Sequence, residues 1–308
     1  MIEGLEIIKN NNRRRRPIFI WLGMIALIFG VTVDGYFMSD STVTIAYIPL
    51  MVMVGFLSSH LMTNIILSGV AAITLQVFSP NQWEPELFFL RWLGYFFIAF
   101  VIRTLYKQNT DERNNLINFT LTLAQSLDAR DKYTAFHSKN VAYYSYEIAQ
   151  AIHLSQKECD HLYLGGLLHD IGKIGIPESI LNKPSKLTLE EFEIIKEHPQ
   201  IGYDMLQHVP AFRENSILDM VLHHHERYDG KGYPHGLRGE EIPLVARIMA
   251  VADSFDAMTS KRAYRNVKEM DYAINEIRNG KQSQFDPNIA DVFLELIDQE
   301  KIIVRGFE

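Results

Sequence analysis

The sequence is poor in cysteine. Its 308 residues include a single cysteine, Cys159, against 11 histidines. A lone thiol excludes a disulfide framework, and it also excludes the cysteine-rich sites that hold structural zinc. Any metal site in this chain must therefore be built from histidine and carboxylate side chains.

The chain also lacks a surplus of positive charge. Its 30 lysines and arginines are outnumbered by 37 acidic residues, which gives a formal net charge of −7 at pH 7. Residues 1–107 contain six acids and eight bases, whereas residues 108–308 contain 31 acids, 22 bases and ten of the histidines. The length suggests about two domains, and the overall charge argues against a DNA or RNA partner.

Polar sequence is scarce in the first third of the chain. Four apolar stretches occupy residues 17–33, 42–59, 61–78 and 87–102. A helix crosses the hydrocarbon core of a bilayer with about 20 apolar residues, so each stretch is short, but together they leave too little polar sequence to cover a soluble domain. We expect a basic cytoplasmic segment at 1–16 and then a transmembrane region of four helical spans at 17–102, with the lipid bilayer as partner.

The charges that flank these stretches predict an orientation. Arg13–Arg16 precede the first span, and Arg103 and Lys107 follow the fourth. The loops after the first and third spans carry acids and no base: Asp34, Asp40, Glu84 and Glu86. Bases concentrate on the cytoplasmic side of membrane proteins, so we expect a multi-pass protein of the cytoplasmic membrane whose second half is cytoplasmic. A cleaved signal peptide at 13–33 is a weaker alternative, because no small-residue cleavage site follows it.

Residues 103–127 contain no proline or glycine and predict a helix that links the two halves. Leu116, Phe119, Leu123 and Leu127 fall on one face of this helix. The face either packs on its own domain or pairs with a second copy of the chain, so a homodimer through the linker helix is one interpretation. The pattern is too short to be assigned to a coiled coil.

The second half of the chain follows a helical period nearly throughout. Ser155 with Glu158, and Thr188 with Glu191, have the spacing of capping boxes that begin helices. The stretch DGKGYPHGLRG at 229–239 predicts the main loop, and no stretch alternates polar and apolar residues for long enough to form a sheet. We expect an all-α bundle of about seven or eight helices, which makes the whole chain all-α.

Histidine and aspartate recur at helix ends and on apolar faces of this second half. The positions are His137, His169, Asp170, His198, two of the run His223–His225, and Asp253. One histidine at a helix end is usually a capped terminus or a hydrogen-bonded core residue, but six or seven such positions indicate ligands for divalent metal ions. A mixed histidine and aspartate set without cysteine suits a pair of ions that hydrolyses a phosphate ester. The pattern alone does not choose among the three histidines of the run.

Short motifs follow one another along this half in a recognisable order. They are HDIGKIGIP at 169–177, HP at 198–199, HHERYDGKGYP at 224–234, VADSFDAMTSKRAYR at 251–265 and FDP at 285–287. In this order they resemble the HD-GYP subgroup of the HD-domain phosphohydrolases from about residue 128 to about residue 290, so an HD-GYP domain is expected at 128–308. The resemblance implies a bacterial signalling enzyme that hydrolyses the second messenger cyclic di-GMP to pGpG or onward to GMP.

The resemblance also implies a set of site residues. The metal ligands would be His137, His169, Asp170, His198, His224, His225 and Asp253. Asp170 would bridge two divalent ions, with iron or manganese as the first expectation and zinc, nickel or cobalt as alternatives. Lys173 would contact a substrate phosphate and take part in catalysis, and Tyr233, Arg262 and Arg265 would bind substrate. A solvated basic helix end is the alternative interpretation of the two arginines, and it suits Arg265 better than Arg262.

One position departs from the family pattern. Some members hold a third metal ion through a glutamate four residues before the first histidine ligand, where this chain has Tyr133. Asp128 and Asp131 are near in sequence but lie at the wrong helical phase for that role, so a binuclear site is expected. The remaining histidines of this half are interpreted as surface or packing residues: His153, His161, His208, His223 and His235.

The expected reaction is the attack of a metal-bridging hydroxide on the substrate phosphorus, while Lys173 and Arg262 hold the charged substrate. Two alternatives remain open. One is an HD hydrolase that acts on another nucleotide, including another cyclic dinucleotide. The other is a membrane receptor or scaffold that binds cyclic di-GMP without hydrolysing it.

Overall fold

The structure of the protein is a computed structural model. It describes residues 20–26, 28, 29, 32, 47–58, 60–78, 85–130, 137–213, 215–259 and 267–302. The chain divides into two compact units, Met1–Leu116 and Ile117–Glu308. Within the described ranges every regular element is a helix, apart from two isolated bridges between single residue pairs. The expected all-α class is confirmed for these ranges.

Three long or medium helices lie in the described part of the first unit, besides short helical stretches between residues 20 and 32. They are α1 (Ile48–Leu57), α2 (Leu61–Phe78) and α3 (Pro85–Arg130), the last of which continues past residue 116. A small apolar core forms among them around Tyr47, Met51, Leu75 and Tyr95. Trp92 of α3 is held to α2, because its Nε1 donates to Ser68 Oγ at 3.1 Å.

The apolar helices of this unit bear on the predicted membrane spans. Residues 85–127 of α3, with a mean hydropathy of 1.6 in their apolar window, are long and apolar enough to cross a membrane. Helix α1 and residues 61–77 of α2 are apolar but shorter. The predicted span at 17–33 is described only at residues 20–26, 28, 29 and 32. One described helix therefore meets the length and composition required of a span, and the arrangement of four spans stays a prediction.

Helix α3 joins the fourth predicted span and the predicted linker in one uninterrupted helix of 46 residues. The predicted apolar stripe is only partly buried: Leu127 is fully buried, but Phe119 is 51% exposed. The buried face is formed instead by Ile117, Thr120 and Ala124 together with Leu127. Among the described residues the stripe as a whole does not pack on its own domain, since the buried face includes a small residue and a hydroxyl in place of Phe119. The homodimer interpretation stays a prediction.

The second unit adds ten α-helices and two short 3₁₀ helices among its described residues. The α-helices are α4 (His137–Ala151), α5 (Gln156–Leu168), α6 (Glu178–Leu181), α7 (Leu189–Ile195), α8 (His198–Leu206), α9 (Pro210–Arg213), α10 (Ile217–His223), α11 (Leu244–Thr259), α12 (Val267–Asn279) and α13 (Pro287–Asp298). The 3₁₀ helices are Ile171–Gly175 and Gly239–Glu241. Eight of the α-helices have seven residues or more, which agrees with the expected bundle.

Both predicted capping boxes are present. At the start of α5 the Glu158 N–H donates to Ser155 Oγ, and the Ser155 N–H donates to the Glu158 carboxylate. Thr188 and Glu191 make the same pair of contacts at the start of α7. Each pair supplies side-chain acceptors to two backbone N–H groups that a helix start leaves without a partner. The first pair fixes the beginning of the helix whose other end leads into His169.

The core of the second unit sets the position of the candidate site. Tyr144 of α4, Phe255 of α11 and Phe293 of α13 form an aromatic cluster with ring centroids 4.8 to 6.2 Å apart. Gly166 of α5 lies directly against α4, since a Cβ at this position would be 2.5 Å from Cα of Ala142. Helices α4 and α5 can approach this closely because position 166 carries no side chain.

Candidate metal centre

Seven histidine and aspartate side chains meet in the second unit. One group, with ligand atoms all within 4.8 Å of one another, contains Asp170, His198, His224 and His225. A second group of the same kind contains His137, His169 and Asp253. These are the seven residues that the family resemblance predicts as metal ligands. The structure brings them together, and their role as ligands stays a prediction.

These side chains stand mostly at the ends of helices. His137 begins α4, His169 directly follows α5, His198 begins α8, His224 directly follows α10, and Asp253 lies within α11. The last turn of a helix leaves backbone carbonyls without an intrahelical partner. An imidazole at such a position can donate to one of these carbonyls and turn its other nitrogen toward the centre.

Three of the histidines are oriented in this way. Nδ1 of His169, His198 and His224 contacts the backbone carbonyl three residues earlier in the chain, at 2.7, 2.7 and 2.9 Å. Because a carbonyl oxygen only accepts hydrogen bonds, each Nδ1 carries a proton, and in the neutral imidazole Nε2 then carries the lone pair. The three Nε2 atoms are thus prepared as metal ligands.

The Nε2 atoms of these histidines lack a hydrogen-bond donor among the described residues. Nε2 of His198 lies 3.2 Å from Nε2 of His224, so two acceptors face each other at hydrogen-bond distance. Nε2 of His169 is buried and has no hydrogen-bond partner among the described residues. A divalent cation would satisfy buried nitrogens of this kind. The residues present therefore fit a metal ion.

Asp170 lies between the two groups. Its Oδ1 is 3.3 Å from Nε2 of His198 and 4.0 Å from Nε2 of His224. Its Oδ2 is 3.3 Å from Nε2 of His169 and 3.7 Å from Nε2 of His137. Each carboxylate oxygen faces a different group, which is the arrangement that a bridging ligand requires.

The two aspartates are ionised although they are buried. Burial opposes the charge of Asp170, but the ammonium of Lys173, 2.6 Å from Oδ2, lowers the pKa of this carboxyl well below its usual range. Burial also opposes the charge of Asp253, and a hydrogen bond and the charge of His137, 3.1 Å away, lower the pKa of this carboxyl well below its usual range. The centre therefore offers two carboxylates to a cation at neutral pH.

The histidines differ in their protonation. Burial lowers the pKa of His225 to about 4 and the pKa of His224 well below its usual range, so both are neutral at pH 7. Burial also opposes protonation of His137, but hydrogen bonds to Asp253 and Asp256 outweigh it and raise the pKa of His137 to about 10. A metal ligand must be neutral, so His137 would lose a proton when a metal ion binds.

Asp256 is a residue of the centre that sequence reasoning missed. Its side chain is completely buried. Its Oδ2 accepts a hydrogen bond from Nδ1 of His137 at 2.8 Å, and its Oδ1 accepts one from Nδ2 of Asn140 at 2.8 Å. This contact holds the imidazole with Nε2 toward the centre. The sequence feature that could have identified Asp256 is its spacing: it lies three residues after Asp253 and so falls on the same side of a helix. This spacing alone is a weak indication.

Glu226 shapes the loop beside the centre. Its buried carboxylate accepts the backbone N–H of His235 at 2.7 Å and that of Leu237 at 3.1 Å. Gly232 permits the loop to fold back, because a Cβ there would be 2.3 Å from the backbone nitrogen of Arg227. The loop that carries Tyr233 is thus tied to the chain segment that directly follows the histidine pair.

The predicted substrate residues lie at the centre where they are described. Nζ of Lys173 contacts Oδ2 of Asp170 at 2.6 Å. The ring of Tyr233 lies 4.7 Å from the ring of His225, with 33° between their planes. Lys196, which sequence reasoning missed, places Nζ 5.8 Å from the centroid of the Tyr233 ring. Four positions that the sequence analysis considered for the site lie outside the described residues: Asp131, Tyr133, Arg262 and Arg265.

Comparison with known families agrees with this geometry. A family profile described as the HD domain matches residues 114–289, which is more than half of the chain. The chain belongs to the HD-domain family. The HD domain begins within α3 and contains all seven residues of the candidate centre. The resemblance drawn from the motifs is confirmed at the level of the HD domain.

Several curated proteins are similar to this HD-domain chain. A cyclic di-GMP phosphodiesterase of Thermotoga maritima is 44% identical over 172 residues, which are 54% of this chain and 45% of the relative. The cyclic di-GMP phosphodiesterase response regulator RpfG of Xanthomonas campestris is 41% identical over 176 residues, 56% and 46% of the two chains. The 3'3'-cGAMP-specific phosphodiesterase 2 of Vibrio cholerae is 34% identical over 196 residues, 64% and 37% of the two chains. The chain spans less than half the length of these relatives.

Proposed function

We propose that the protein is a membrane-anchored, metal-dependent phosphodiesterase of the HD-GYP subgroup, which hydrolyses cyclic di-GMP to pGpG and so lowers the level of this second messenger. One observation carries the proposal: two histidine and aspartate groups lie side by side inside an HD domain, and Asp170 directs Oδ1 toward His198 of one group and Oδ2 toward His169 of the other. The names of the similar proteins supply the substrate class, since two of them are cyclic di-GMP phosphodiesterases.

The seven residues of the centre are the proposed ligands. Asp170 would be a ligand of both ions, since each of its carboxylate oxygens faces a different group. When bound, two divalent ions supply Lewis acidity toward the phosphoryl oxygens and lower the pKa of an attacking water. Iron or manganese is proposed first, with zinc, nickel and cobalt as alternatives, because the ligand set contains nitrogen and oxygen only.

Other side chains of the centre are proposed to hold the substrate. The Lys173 side chain is 20% exposed and its ammonium already lies at the centre, so it can pair with a substrate phosphate and offset charge on the departing ribose oxygen. Burial raises the pKa of Tyr233, which keeps it a phenol that can donate a hydrogen bond to the substrate or stack on a base. Arg262 and Arg265 are proposed to bind the second phosphate.

The first unit is proposed to anchor the enzyme in the bacterial cytoplasmic membrane through four spans at 17–102. Exposed apolar side chains on α2 support this: Ile66, Val70, Ile73 and Val77. On α3 the corresponding side chains are Leu90, Leu93 and Phe97. Both sets recur at helical spacing and so form apolar faces that suit lipid acyl chains. The segment at 1–16 and the domain at 128–308 would then be cytoplasmic, and the linker at 103–127 would offer a face for a homodimer.

A second candidate substrate is another cyclic dinucleotide. The similarity to a 3'3'-cGAMP-specific phosphodiesterase favours this candidate, although the identity of 34% is lower than that to the two cyclic di-GMP enzymes. Both substrates are cyclic dinucleotides with two phosphodiester groups, so the metal centre would serve either. The bases distinguish them, and Tyr233 is the described residue best placed to contact a base.

The proposal is tested with the full chain purified in detergent and loaded with manganese or ferrous iron. Cyclic di-GMP and 3'3'-cGAMP are supplied separately, and the products are separated by chromatography. We expect pGpG from cyclic di-GMP, faster than any product from 3'3'-cGAMP, and no turnover by a variant with His169→Ala and Asp170→Ala. The control is His208→Ala, which changes an exposed histidine outside the two groups of the centre and should leave turnover unchanged.

Three results would contradict parts of the proposal. Unchanged turnover in the double variant would remove the centre from the reaction. Faster hydrolysis of 3'3'-cGAMP would make the second candidate the substrate. Binding of cyclic di-GMP without any product, in protein that holds its metal ions, would indicate a receptor rather than an enzyme.

A further inference from the structure

A third group of metal-ligating side chains lies outside the candidate centre. His223, Glu226 and His235 each offer one nitrogen or oxygen atom, and these atoms lie within 4.8 Å of one another. We call this group the loop cluster. The sequence predicts surface or packing roles for its two histidines, and the proposed function makes no use of either.

His223 presents a nitrogen that the fold leaves unsatisfied. It is the last residue of α10, and its Nδ1 is buried without a hydrogen-bond partner among the described residues. The nearest carboxylate oxygen, Oε1 of Glu226, lies 3.9 Å away, which is too far for a hydrogen bond. A buried nitrogen without a partner is rare in proteins, so something that binds a lone pair is expected at this position.

Glu226 supplies negative charge at the same position. Its carboxylate is buried, and each oxygen accepts one backbone N–H from the loop. A carboxylate oxygen has a second lone pair, so Oε1 can bind a cation and keep its hydrogen bond to His235 N–H. Two backbone donors do not neutralise the carboxylate, and a cation would complete its environment.

His235 closes the loop cluster from the solvent side. Its side chain is exposed, and the centroid of its ring lies 5.2 Å from that of His223 with 51° between the ring planes. An exposed imidazole can rotate to direct a ring nitrogen toward Nδ1 of His223 and Oε1 of Glu226. The two other ligands are fixed by the fold, so only one side chain must be ordered when an ion binds.

We propose that His223, Glu226 and His235 bind one divalent transition-metal ion, of which zinc is the best match, in a site that shares no ligand with the candidate centre. Two imidazoles and one carboxylate form a ligand set that zinc accepts, with water in the fourth position. The ion would join the end of α10 to the loop that carries Tyr233. Its effect would be to restrain that loop beside the candidate centre.

The site is tested by counting zinc. The full chain is purified in detergent, stripped of metal with a chelator, dialysed against zinc and analysed for bound metal. We expect His235→Ala to hold a single zinc ion fewer per chain than the wild type, because it removes the exposed ligand and leaves the packed residues in place. His208→Ala, which removes another exposed histidine, should hold the wild-type amount. An equal zinc content in His235→Ala and the wild type would overturn the proposal.

A residue-specific measurement gives an independent result. Diethyl pyrocarbonate modifies exposed histidines, and mass spectrometry reports the extent at each one. We expect zinc to protect His235 but not His208, and we expect the protection of His235 to disappear in His223→Leu. Protection that persists in His223→Leu would show that zinc acts from another site. Neither readout depends on phosphodiesterase turnover, so the loop cluster and the proposed function can fail separately.

Discussion

At the scale of single residues, the candidate centre combines groups that the motifs name with groups that only the packing reveals. His169, Asp170 and Asp253 stand in motifs whose order is visible in the sequence. Asp256 and the free nitrogen of His223 became visible only when distant segments were brought together. The sequence could predict which side chains have the right chemistry, but it could not show which of them lack a hydrogen-bond partner.

The proton on His137 leads to a prediction about metal binding. Because its pKa of about 10 exceeds neutral pH, the metal-free protein carries this proton, and a bound metal ion must displace it. Metal binding should therefore release a proton near neutral pH, and apparent affinity should rise as the pH rises toward 10. His224 and His225 are already neutral, so they should contribute no proton. Calorimetry with manganese in two buffers of different ionisation enthalpy measures the release.

Asp256→Asn tests the cause of this protonation. The variant removes a negative oxygen that accepts from Nδ1 of His137, so the pKa of His137 should fall and less proton should be released. Manganese affinity should fall by about 10-fold to 100-fold, as is typical when a partner that orients a metal ligand is lost. Asp160→Asn changes another buried carboxyl and should behave as the wild type. Equal proton release by the wild type and Asp256→Asn would contradict this assignment.

At the scale of helices, the sequence predicts where a helix begins better than it predicts which helices pack closely together. The capping boxes at Ser155 and Thr188 were predictable because each depends on residues three apart. The close approach of α5 to α4 was not, because it depends on Gly166 meeting Ala142 across the bundle. The same limit applies to Phe119, since packing rather than hydrophobic spacing decides whether its side chain is buried or exposed.

Gly166→Ala tests how much the centre depends on this helix contact. The new Cβ would lie 2.5 Å from Cα of Ala142, and a backbone atom cannot move aside, so α5 must shift. We expect a loss of about 1–3 kcal/mol in unfolding free energy and a loss of bound manganese, because His169 follows α5 and His137 begins α4. Thermal unfolding and metal analysis measure the two effects.

The neighbouring glycine provides a matched control. A Cβ at Gly165 would meet the terminal Sδ and Cε atoms of Met220, and a methionine side chain can adopt another rotamer. Gly165→Ala should therefore cost less stability than Gly166→Ala and should retain manganese. If the two variants lost stability and metal to the same extent, the close backbone contact would not be what positions the two histidines.

At the scale of the whole molecule, the sequence separates an apolar first part from an acidic, histidine-rich second part. The helical class of the second part followed from the period of its apolar residues, that of the first part followed from the length of its apolar stretches, and the HD domain followed from ordered motifs. The number of spans is harder to obtain, because apolar stretches near the minimum length resemble core helices. The charges around the stretches, with bases at 13–16 and acids at 84 and 86, remain the strongest indication of topology.

Labelling of introduced cysteines tests that topology. The single native Cys159 is buried, and burial raises the pKa of its thiol to about 11, so it should react little and give a low background. Asn81→Cys lies in the predicted outer loop, and His208→Cys is exposed on the second unit. With an impermeant maleimide, intact cells should label Asn81→Cys, whereas His208→Cys should require permeabilised cells. Labelling of both cysteines in intact cells, or of neither, would place them on the same side of the membrane and so contradict the single span predicted between them at 87–102.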